Sequence, residues 1–382
     1  MNKLLPAFGR RCAPARGKLN GLKTAIAALP VVLGLALASS ADASLISGAG
    51  GTLTPLIVAG APPDSPTNRI DPSVPTSPFS GVVSVNIQYS GLSFICSGTL
   101  VSRRDVVTAG HCVDTTGNGT LINLNAPGAS VRVVFNASTV VGSPGRAIVT
   151  ADSVSMHPDY QGFGNCPYAT TTEFCVNDDI AVIHMNQDAP ADARIYSTFI
   201  GQIQQGQQTS MAGYGRSGDG INGYTVAPDF RVRRTGDNIM DLFDLDDEQH
   251  FASGPREVWY ADFDGGGKDT FCTLFAICTP ILANDVEANI GGGDSGGPSF
   301  HFDGTNYILI GNNTFGGTFQ GQIPGTFGTY FGGMLLGPYS DYLWAATQGR
   351  ITRIGYLPEP GTYALLLIGL ALIGVARRRK QQ

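Results

Sequence analysis

Residues 291–298 have the sequence Gly-Gly-Gly-Asp-Ser-Gly-Gly-Pro, which sets one serine hydroxyl in a run of glycines. Glycine accepts the backbone torsion angles that a sharp turn requires. Such a turn lets the N–H groups of Gly293 and Ser295 converge on one point, where they can stabilise a developing oxyanion. A glycine-rich stretch taken alone is more often an ordinary turn, so the prediction of a nucleophile depends on partners elsewhere in the chain.

Two earlier segments contain the partners that a serine nucleophile needs. Residues 107–112 are Val-Thr-Ala-Gly-His-Cys, and residues 177–182 are Asn-Asp-Asp-Ile-Ala-Val. Acyl transfer requires an imidazole that takes the hydroxyl proton and a buried carboxylate that holds the imidazole in the right tautomer. His111 and Asp179 can fill these roles, with Asp178 as the competing carboxylate.

In the order histidine, aspartate, serine, these motifs resemble those of the chymotrypsin/trypsin family of serine proteases. The resemblance spans about residues 80–347, with gaps, and includes Met-Ala-Gly-Tyr-Gly-Arg at 211–216. It implies an all-β fold of two six-stranded antiparallel β-barrels with a short C-terminal helix. It also implies a serine endopeptidase that forms an acyl-enzyme on Ser295. Because the family places the triad acid directly before Ile-Ala-Val, the resemblance favours Asp179 over Asp178.

The same resemblance implies which residues contact the substrate. Thr314, Phe315 and Gly316 resemble the segment that pairs with the substrate backbone. Asn289 stands six residues before Ser295, where trypsin-like members carry an acid on the floor of the specificity pocket. An amide at this position argues against a preference for Lys or Arg and favours a neutral side chain at the cleavage position.

Activation by cleavage is a further implication. In family members a newly cut N-terminus often inserts beside the acid that precedes the nucleophile, which is Asp294 in this chain. We predict cleavage after Arg69, which precedes Ile70, although an ordinary exposed loop is the other interpretation of this site. Residues 57–60, Ile-Val-Ala-Gly, resemble the usual new terminus but lie far upstream.

The pattern of short apolar runs bounded by glycine-rich turns independently favours an all-β domain. We place this domain at residues 81–348, with the boundary between barrels near 195–210 and a helix over 340–347 capped by Ser340. The strands that the pattern predicts most clearly are 82–87, 99–101, 131–135, 180–185, 231–234, 258–262, 307–311 and 330–336. Residues 44–80, rich in Pro, Gly, Ser and Thr, are predicted to be a leader arm on the surface or a propeptide.

Both ends of the chain have the composition of export signals. Residues 1–43 combine a basic start, an apolar middle and a small-residue cleavage site, which is typical of a secretory signal peptide. Residues 357–382 contain Leu-Pro-Glu-Pro-Gly, an apolar run at about 362–376 and a basic cluster, and they resemble the PEP-CTERM sorting tails of Gram-negative bacteria. The run is short for a membrane span, so a buried helix competes on length alone. The adjacent basic cluster favours a transmembrane helix with its C-terminus in the cytoplasm, which would be a transient or retained inner-membrane anchor.

The tail implies processing partners and a destination. Signal peptidase and an exosortase-type enzyme would remove the two ends. The body would then reach the cell surface, the outer-membrane or exopolysaccharide matrix, or the medium.

Charge and cysteine content fit an exported protein. The formal charge of the chain is −6, but residues 44–357 hold 14 basic and 28 acidic residues, a net charge of −14. Such a surface repels nucleic acid and anionic lipid headgroups. We predict three local disulfides, Cys96–Cys112, Cys166–Cys175 and Cys272–Cys278, and no zinc site, because C-x-x-C is absent.

The sequence leaves two alternatives open. Clustered acids in the insertion at 218–270 could bind a structural Ca²⁺, which takes about six to eight oxygen ligands, but we favour a solvated acidic loop and no cofactor. The acids are Asp241, Asp244, Asp246, Asp247, Glu248, Asp262 and Asp264.

The alternative to an endopeptidase acting on proteins or peptides is a non-catalytic matrix or binding protein with the protease fold. The intact triad and Gly293 favour the enzyme.

Overall fold

The structure, a computed structural model, describes residues 57–138, 145–163, 165, 175–319 and 321–355. The predicted signal peptide, the sorting tail with its apolar run at 362–376, and Cys166 lie outside the described residues. Within these ranges, no helix combines the length and the apolar character that crossing a membrane requires.

The regular structure of the described chain consists mainly of short strands joined by turns. The strands are β1 Val58–Ala59, β2 Val82–Tyr89, β3 Leu92–Leu100, β4 Asp105–Thr108, β5 Ser130–Asn136, β6 Arg146–Met156, β7 Ala181–Met185, β8 Thr198–Phe199, β9 Gln207–Gly213, β10 Ser217–Asp219, β11 Gly223–Val226, β12 Arg234–Met240, β13 Leu242–Leu245, β14 Arg256–Asp262, β15 Pro298–Phe302, β16 Tyr307–Gly317, β17 Tyr330–Leu335 and β18 Arg353–Ile354. The helical elements are a 3₁₀ turn at Gly110–Cys112 and the α-helices α1 Thr270–Phe275 and α2 Ser340–Ala346.

The first half of the domain is a closed barrel with the strand order β2-β3-β4-β7-β6-β5. Apolar residues at alternate positions of β2, namely Val83, Val85 and Ile87, are fully buried in its core. Val85 pairs with Cys96 of β3 on one side and with Val133 of β5 on the other. This barrel is the first of the two that the resemblance implies.

The second half is a nine-stranded sheet whose main path is β12-β9-β15-β16-β17-β14-β13. The sheet curls until β12 and β14 meet. Nδ2 of Asn238 donates to the carbonyl oxygen of Asp262 at 3.0 Å, and the N–H of Asp241 donates to the carbonyl oxygen of Tyr260 at 2.8 Å. These two bonds connect the edge strand β12 and the residue after it to β14, so the second unit is a curled sheet rather than a second closed barrel of paired strands.

The segment before β2 is integrated into the fold, so the prediction of a surface arm is wrong for its described part. β1 pairs in parallel with β10, and Ile57, Val58 and Ala59 are fully buried. Further along, Nη2 of Arg69 lies 2.6 Å from Oδ2 of Asp64, and both side chains are buried. Apolar burial and an internal ion pair hold this segment in place.

Two local predictions also need correction. The predicted strand at 231–234 is mostly a turn, because Asp229 accepts hydrogen bonds from the N–H groups of Arg231 and Val232; β12 therefore begins only at Arg234. Helix α2 begins at Ser340, but no side chain caps it, since the Ser340 hydroxyl accepts a hydrogen bond from Arg353 instead.

Two of the predicted disulfides, Cys96–Cys112 and Cys272–Cys278, are present in the structure. The first joins β3 to the 3₁₀ turn that carries His111. The second joins α1 to the loop after it.

Candidate active site

Strand pairing brings His111 and Asp179 together. His111 lies just after β4 and Asp179 just before β7, and these strands are antiparallel neighbours. Nδ1 of His111 lies 2.7 Å from Oδ2 of Asp179, and the backbone N–H of His111 donates to Oδ1 at 2.7 Å. Asp179 is 0% exposed. The carboxylate thus fixes the imidazole plane and selects the tautomer with its proton on Nδ1, which leaves Nε2 without a proton.

A pair of aromatic side chains lies beside the imidazole. The ring centroids of His111 and Phe163 are 4.9 Å apart, and Tyr160 packs edge-on against Phe163. Nε2 of His111 is buried and has no hydrogen-bond partner among the described residues. Sequence reasoning missed both aromatic residues, whose only signal is their position in a glycine-containing loop shortly before Asp179.

The Ser295 turn is held by backbone hydrogen bonds from several elements. The N–H of Ser97 donates to the carbonyl oxygen of Ser295 at 2.8 Å, and the N–H of Gly296 donates to that of Asn313 at 2.6 Å. The carbonyl oxygen of Ser295 lies 3.8 Å from Sγ of Cys112, the residue after His111. Ser295 is therefore next to the His111 turn.

Glycine is required at two positions of this turn. Gly293 and Gly296 have φ values of +104° and +78°, which side chains rarely tolerate. A Cβ on Gly296 would also collide with Oγ1 of Thr108. No described group accepts a hydrogen bond from the N–H of Gly293 or Ser295, so both donors are available.

Ser97 fixes the peptide that contains Gly293. Its hydroxyl donates to the carbonyl oxygen of Gly293 at 2.9 Å and accepts from the N–H of Tyr214 at 2.9 Å. The sequence signal is a small polar residue next to the disulfide cysteine Cys96.

Asp294 is a fully buried carboxylate under the same turn. It accepts hydrogen bonds from the N–H groups of Gly215, at 2.7 Å, and Gly291, at 2.9 Å. Burial raises the pKa of Asp294 to about 7, although these bonds and the charge of Arg234 oppose the shift. The hydrogen bonds and the Arg234 charge together do not offset the effect of burial on this carboxylate.

The predicted substrate-pairing segment lies at the end of β16. β15 pairs with β16 only as far as Asn312, whereas Phe315 and Gly316 pair with Gly332 and Phe331 of β17. Thr314 and Phe315 are buried and Gly316 is exposed. The exposed Gly316 is the position at which an extended peptide could reach the backbone of this segment.

Asn289 is fully buried, and its polar groups are used internally. Nδ2 donates to Oγ1 of Thr329 at 2.9 Å, and Oδ1 accepts from the N–H of Ile290 at 2.7 Å. Tyr224, which the sequence did not single out, donates its hydroxyl to the carbonyl oxygen of Ile290 at 2.8 Å and lies beside Gly316. The hydrogen-bond partners of the Asn289 side chain are therefore uncharged.

Asn312, on β16, contacts the two segments that contain His111 and Asp179. Its Nδ2 lies 3.4 Å from the carbonyl oxygens of both Thr108 and Asp179. Two adjacent asparagines in the middle of the apolar run 307–315 are a visible sequence signal for such a role.

Comparison with known families supports this architecture. The model of the Trypsin family matches residues 72–228, a range that includes His111 and Asp179 and ends before Ser295. The model of the PEP-CTERM protein-sorting motif matches residues 357–380 and indicates export and sorting in Gram-negative bacteria. No curated protein matches the chain with significant similarity. The chain thus carries a trypsin-family domain and, at its C-terminal end, a PEP-CTERM sorting motif.

Proposed function

We propose that the protein is a secreted or surface-associated serine endopeptidase with Ser295 as nucleophile, His111 as general base and Asp179 as orienting acid. The observation that supports this assignment best is that the buried Asp179 carboxylate binds His111 at both its imidazole Nδ1 and its backbone N–H, with Nε2 unpartnered among the described residues and Ser295 in the adjacent turn. This is the arrangement that activates a hydroxyl for acyl transfer.

In the proposed reaction, Nε2 of His111 takes the hydroxyl proton while Oγ of Ser295 bonds to the carbonyl carbon of the substrate. The carbonyl oxygen becomes an oxyanion, to which the N–H groups of Gly293 and Ser295 donate. The C–N bond then breaks, and the leaving amine takes the proton from His111. A water molecule hydrolyses the acyl-enzyme by the same steps, which restores Ser295. The chain's own groups supply all of this chemistry without a cofactor.

We propose that the substrate backbone pairs with Thr314, Phe315 and Gly316, and that the side chain at the cleavage position is neutral. The exposure of Gly316 near the end of β16 supports the first part. The amide of Asn289, in place of an acid, supports the second.

We propose that the export route follows the two terminal segments. Signal peptidase would remove residues 1–43, and an exosortase-type enzyme would recognise residues 357–382. The body, with its net charge of −14, would then stay soluble at the cell surface or in the exopolysaccharide matrix.

A fluorophosphonate probe tests the assignment of the nucleophile. We expect the processed, secreted protein to be labelled on Ser295, because only an activated serine attacks the phosphorus atom. Ser295→Ala should not be labelled, and Ser299→Ala, which removes a buried serine hydroxyl outside the turn, should label as the natural protein does. Failure of the processed natural protein to react would favour the non-catalytic matrix protein.

The described contacts make Ile57 a better candidate than Ile70 for the N-terminus of the active form. Cleavage after Arg69 would have to extract a guanidinium that is bound to Asp64 and to the carbonyl oxygens of Val286 and Glu287. Ile57, in contrast, directly precedes β1. The N–H of Val58, the first residue of this strand, donates to the carbonyl oxygen of Asn289 at 3.2 Å.

We therefore expect N-terminal sequencing of the active enzyme to begin at Ile57. The new amino group would supply a positive charge near Asp294 and lower the pKa of that carboxyl from about 7. A start at Ile70 would restore cleavage after Arg69, and a fully active protein that starts at Ser44 would show that neither cleavage is needed.

A further inference from the structure

Five carboxylates from two separate segments meet beside the proposed catalytic acid. Asp178 precedes Asp179, and the others are Asp246, Asp247 and Glu248, in the turn between β13 and β14, and Glu257 on β14. Carboxylate oxygens of Asp178, Asp247 and Glu248 all lie within 4.8 Å of one another. The same holds for Asp246, Glu248 and Glu257. We refer to these five residues as the carboxylate cluster.

Asp247 lacks the partners that a buried carboxylate needs. Its side chain is 0% exposed, and neither oxygen accepts a hydrogen bond from another described group. Oε1 of Glu248 is also buried without a partner. A carboxylate withdrawn from water is strongly unfavourable unless a cation or hydrogen-bond donors replace its hydration. The prediction of a solvated acidic loop is therefore wrong at Asp247.

Protein cations do not balance the cluster. Within the described part of the chain, no lysine or arginine forms an ion pair with any of its five members. The nearest basic contact is Nδ1 of His157, 3.1 Å from Oδ1 of Asp178. Burial, followed by repulsion between the carboxylates, raises the pKa of Asp247 to about 6 and that of Glu248 to about 8.

We propose that Asp178, Asp247 and Glu248 bind one Ca²⁺ ion, with Asp246 and Glu257 in the surrounding shell. Ligand oxygens around an ion with bonds of about 2.4 Å are at most about 4.8 Å apart, and one oxygen from each of the three carboxylates lies within this limit of the others. An all-oxygen donor set selects a hard cation over a transition metal. Ca²⁺ suits an irregular cage of side chains better than Mg²⁺, which retains its water molecules.

The site would connect the insertion to the catalytic acid. Asp178 has a φ of +65°, a conformation that non-glycine residues rarely adopt. Its N–H donates to the hydroxyl of Tyr339 at 3.0 Å, and its carbonyl oxygen accepts from the N–H of Ile180 at 2.6 Å. A cation on its side chain would hold Asp178 in this conformation and so position Asp179. This consequence rests on the proposed function, whereas cation binding itself does not.

Calcium binding is tested on the secreted Ser295→Ala protein, which avoids self-cleavage. After treatment with EDTA, CaCl₂ is titrated while thermal unfolding and calorimetry are recorded. We expect one ion per chain, with a Kd of about 10⁻⁴ to 10⁻³ M, as in extracellular modules, and a Tm that rises with the concentration of Ca²⁺. The absence of any such rise overturns the proposal.

The variants locate the ion. Asp247→Asn should raise the Tm of the metal-free protein, because it removes an unpaired buried charge, and should weaken Ca²⁺ binding at least tenfold. The matched control is Asp264→Asn, since Asp264 is a buried acid of a separate group with Asp262 and Asp269; this variant should retain the Ca²⁺-dependent rise.

An undiminished rise in Asp247→Asn, or a rise lost only in Asp264→Asn, contradicts the assignment. If Asp247→Asn does not fold, the partly exposed Glu248→Gln provides the same comparison. Because the readouts use an inactive variant, a failure of the Ser295 labelling experiment leaves this result unaffected.

Discussion

Replacing Asp179 with asparagine is expected to lower kcat about ten-thousand-fold while the domain stays folded. The amide would still fill the buried space and could accept the N–H of His111, which is now bound at 2.7 Å. Its NH₂ group, however, would face Nδ1 and favour the tautomer with the proton on Nε2, which cannot act as a base. Loss of the correct tautomer at a triad of this kind has an effect of about 10⁴ on kcat. The measurement is peptide hydrolysis, with circular dichroism as the check on folding.

The first barrel contains a matched control in a second histidine–aspartate pair. Nδ1 of His184 lies 2.9 Å from Oδ1 of Asp105, a fully buried carboxylate that also binds Arg350. Asp105→Asn perturbs a contact of the same type but lies away from Ser295, so kcat should change less than tenfold even if stability falls. Equal losses in the two variants would indicate a general packing defect, and more than a hundredth of the natural activity in Asp179→Asn would contradict its orienting role.

Sequence alone could predict the three motif residues because each lies in a local pattern whose chemistry is recognisable. His111 follows a strand and directly precedes a disulfide cysteine, and Ser295 lies between glycines that a turn needs. The closed first barrel could also be predicted, since alternating apolar residues in strands such as β2 require a shared core.

The position of the first described segment could not be predicted in this way. Parallel pairing of β1 with β10 joins Val58 to Gly218, and no local pattern reports a partner so far along the chain. Proline and glycine in residues 44–80 indicated turns correctly, but they carried no information on burial. The prediction of cleavage after Arg69 rather than before Ile57 followed from distance along the sequence. In the fold, however, the residue after Ile57 lies next to Asn289, although the two are far apart in the chain.

The acidic insertion misled for a related reason. Aspartate and glutamate are usually exposed, so a cluster of them predicts a solvated loop. Burial of Asp247 results from the packing of the turn between β13 and β14 against the segment at Asp178, a contact between distant parts of the sequence. The sequence did not predict the position of Tyr224 for the same reason, because its contact with Ile290 also joins distant parts of the chain.

The largest stability effect is expected at the buried ion pair between Asp71 and Arg233. Arg233 is 0% exposed and lies just before β12, whereas Asp71 belongs to the segment that precedes the first barrel. Nε of Arg233 donates to Oδ2 of Asp71 at 2.8 Å, and Nη1 lies 3.3 Å from both the carbonyl oxygen of Val82 and the hydroxyl of Tyr214. This guanidinium thus connects the N-terminal segment and both halves of the domain.

We expect Asp71→Ala to lower the free energy of unfolding by about 3 to 5 kcal/mol, because it leaves the Arg233 charge buried without its partner. The control is Asp188→Ala, which breaks the ion pair between Asp188 and Arg104. The side chain of Arg104 is 46% exposed and that of Asp188 is 56% exposed, and such exposed pairs contribute about 0 to 1 kcal/mol to the free energy of unfolding. Denaturant unfolding in the Ser295→Ala background measures both values. Adding Arg233→Met to Asp71→Ala should recover much of the loss, since the cost arises from the stranded charge rather than from the missing attraction. A small loss in Asp71→Ala, or no recovery in the double variant, would mean that water or another group neutralises Arg233.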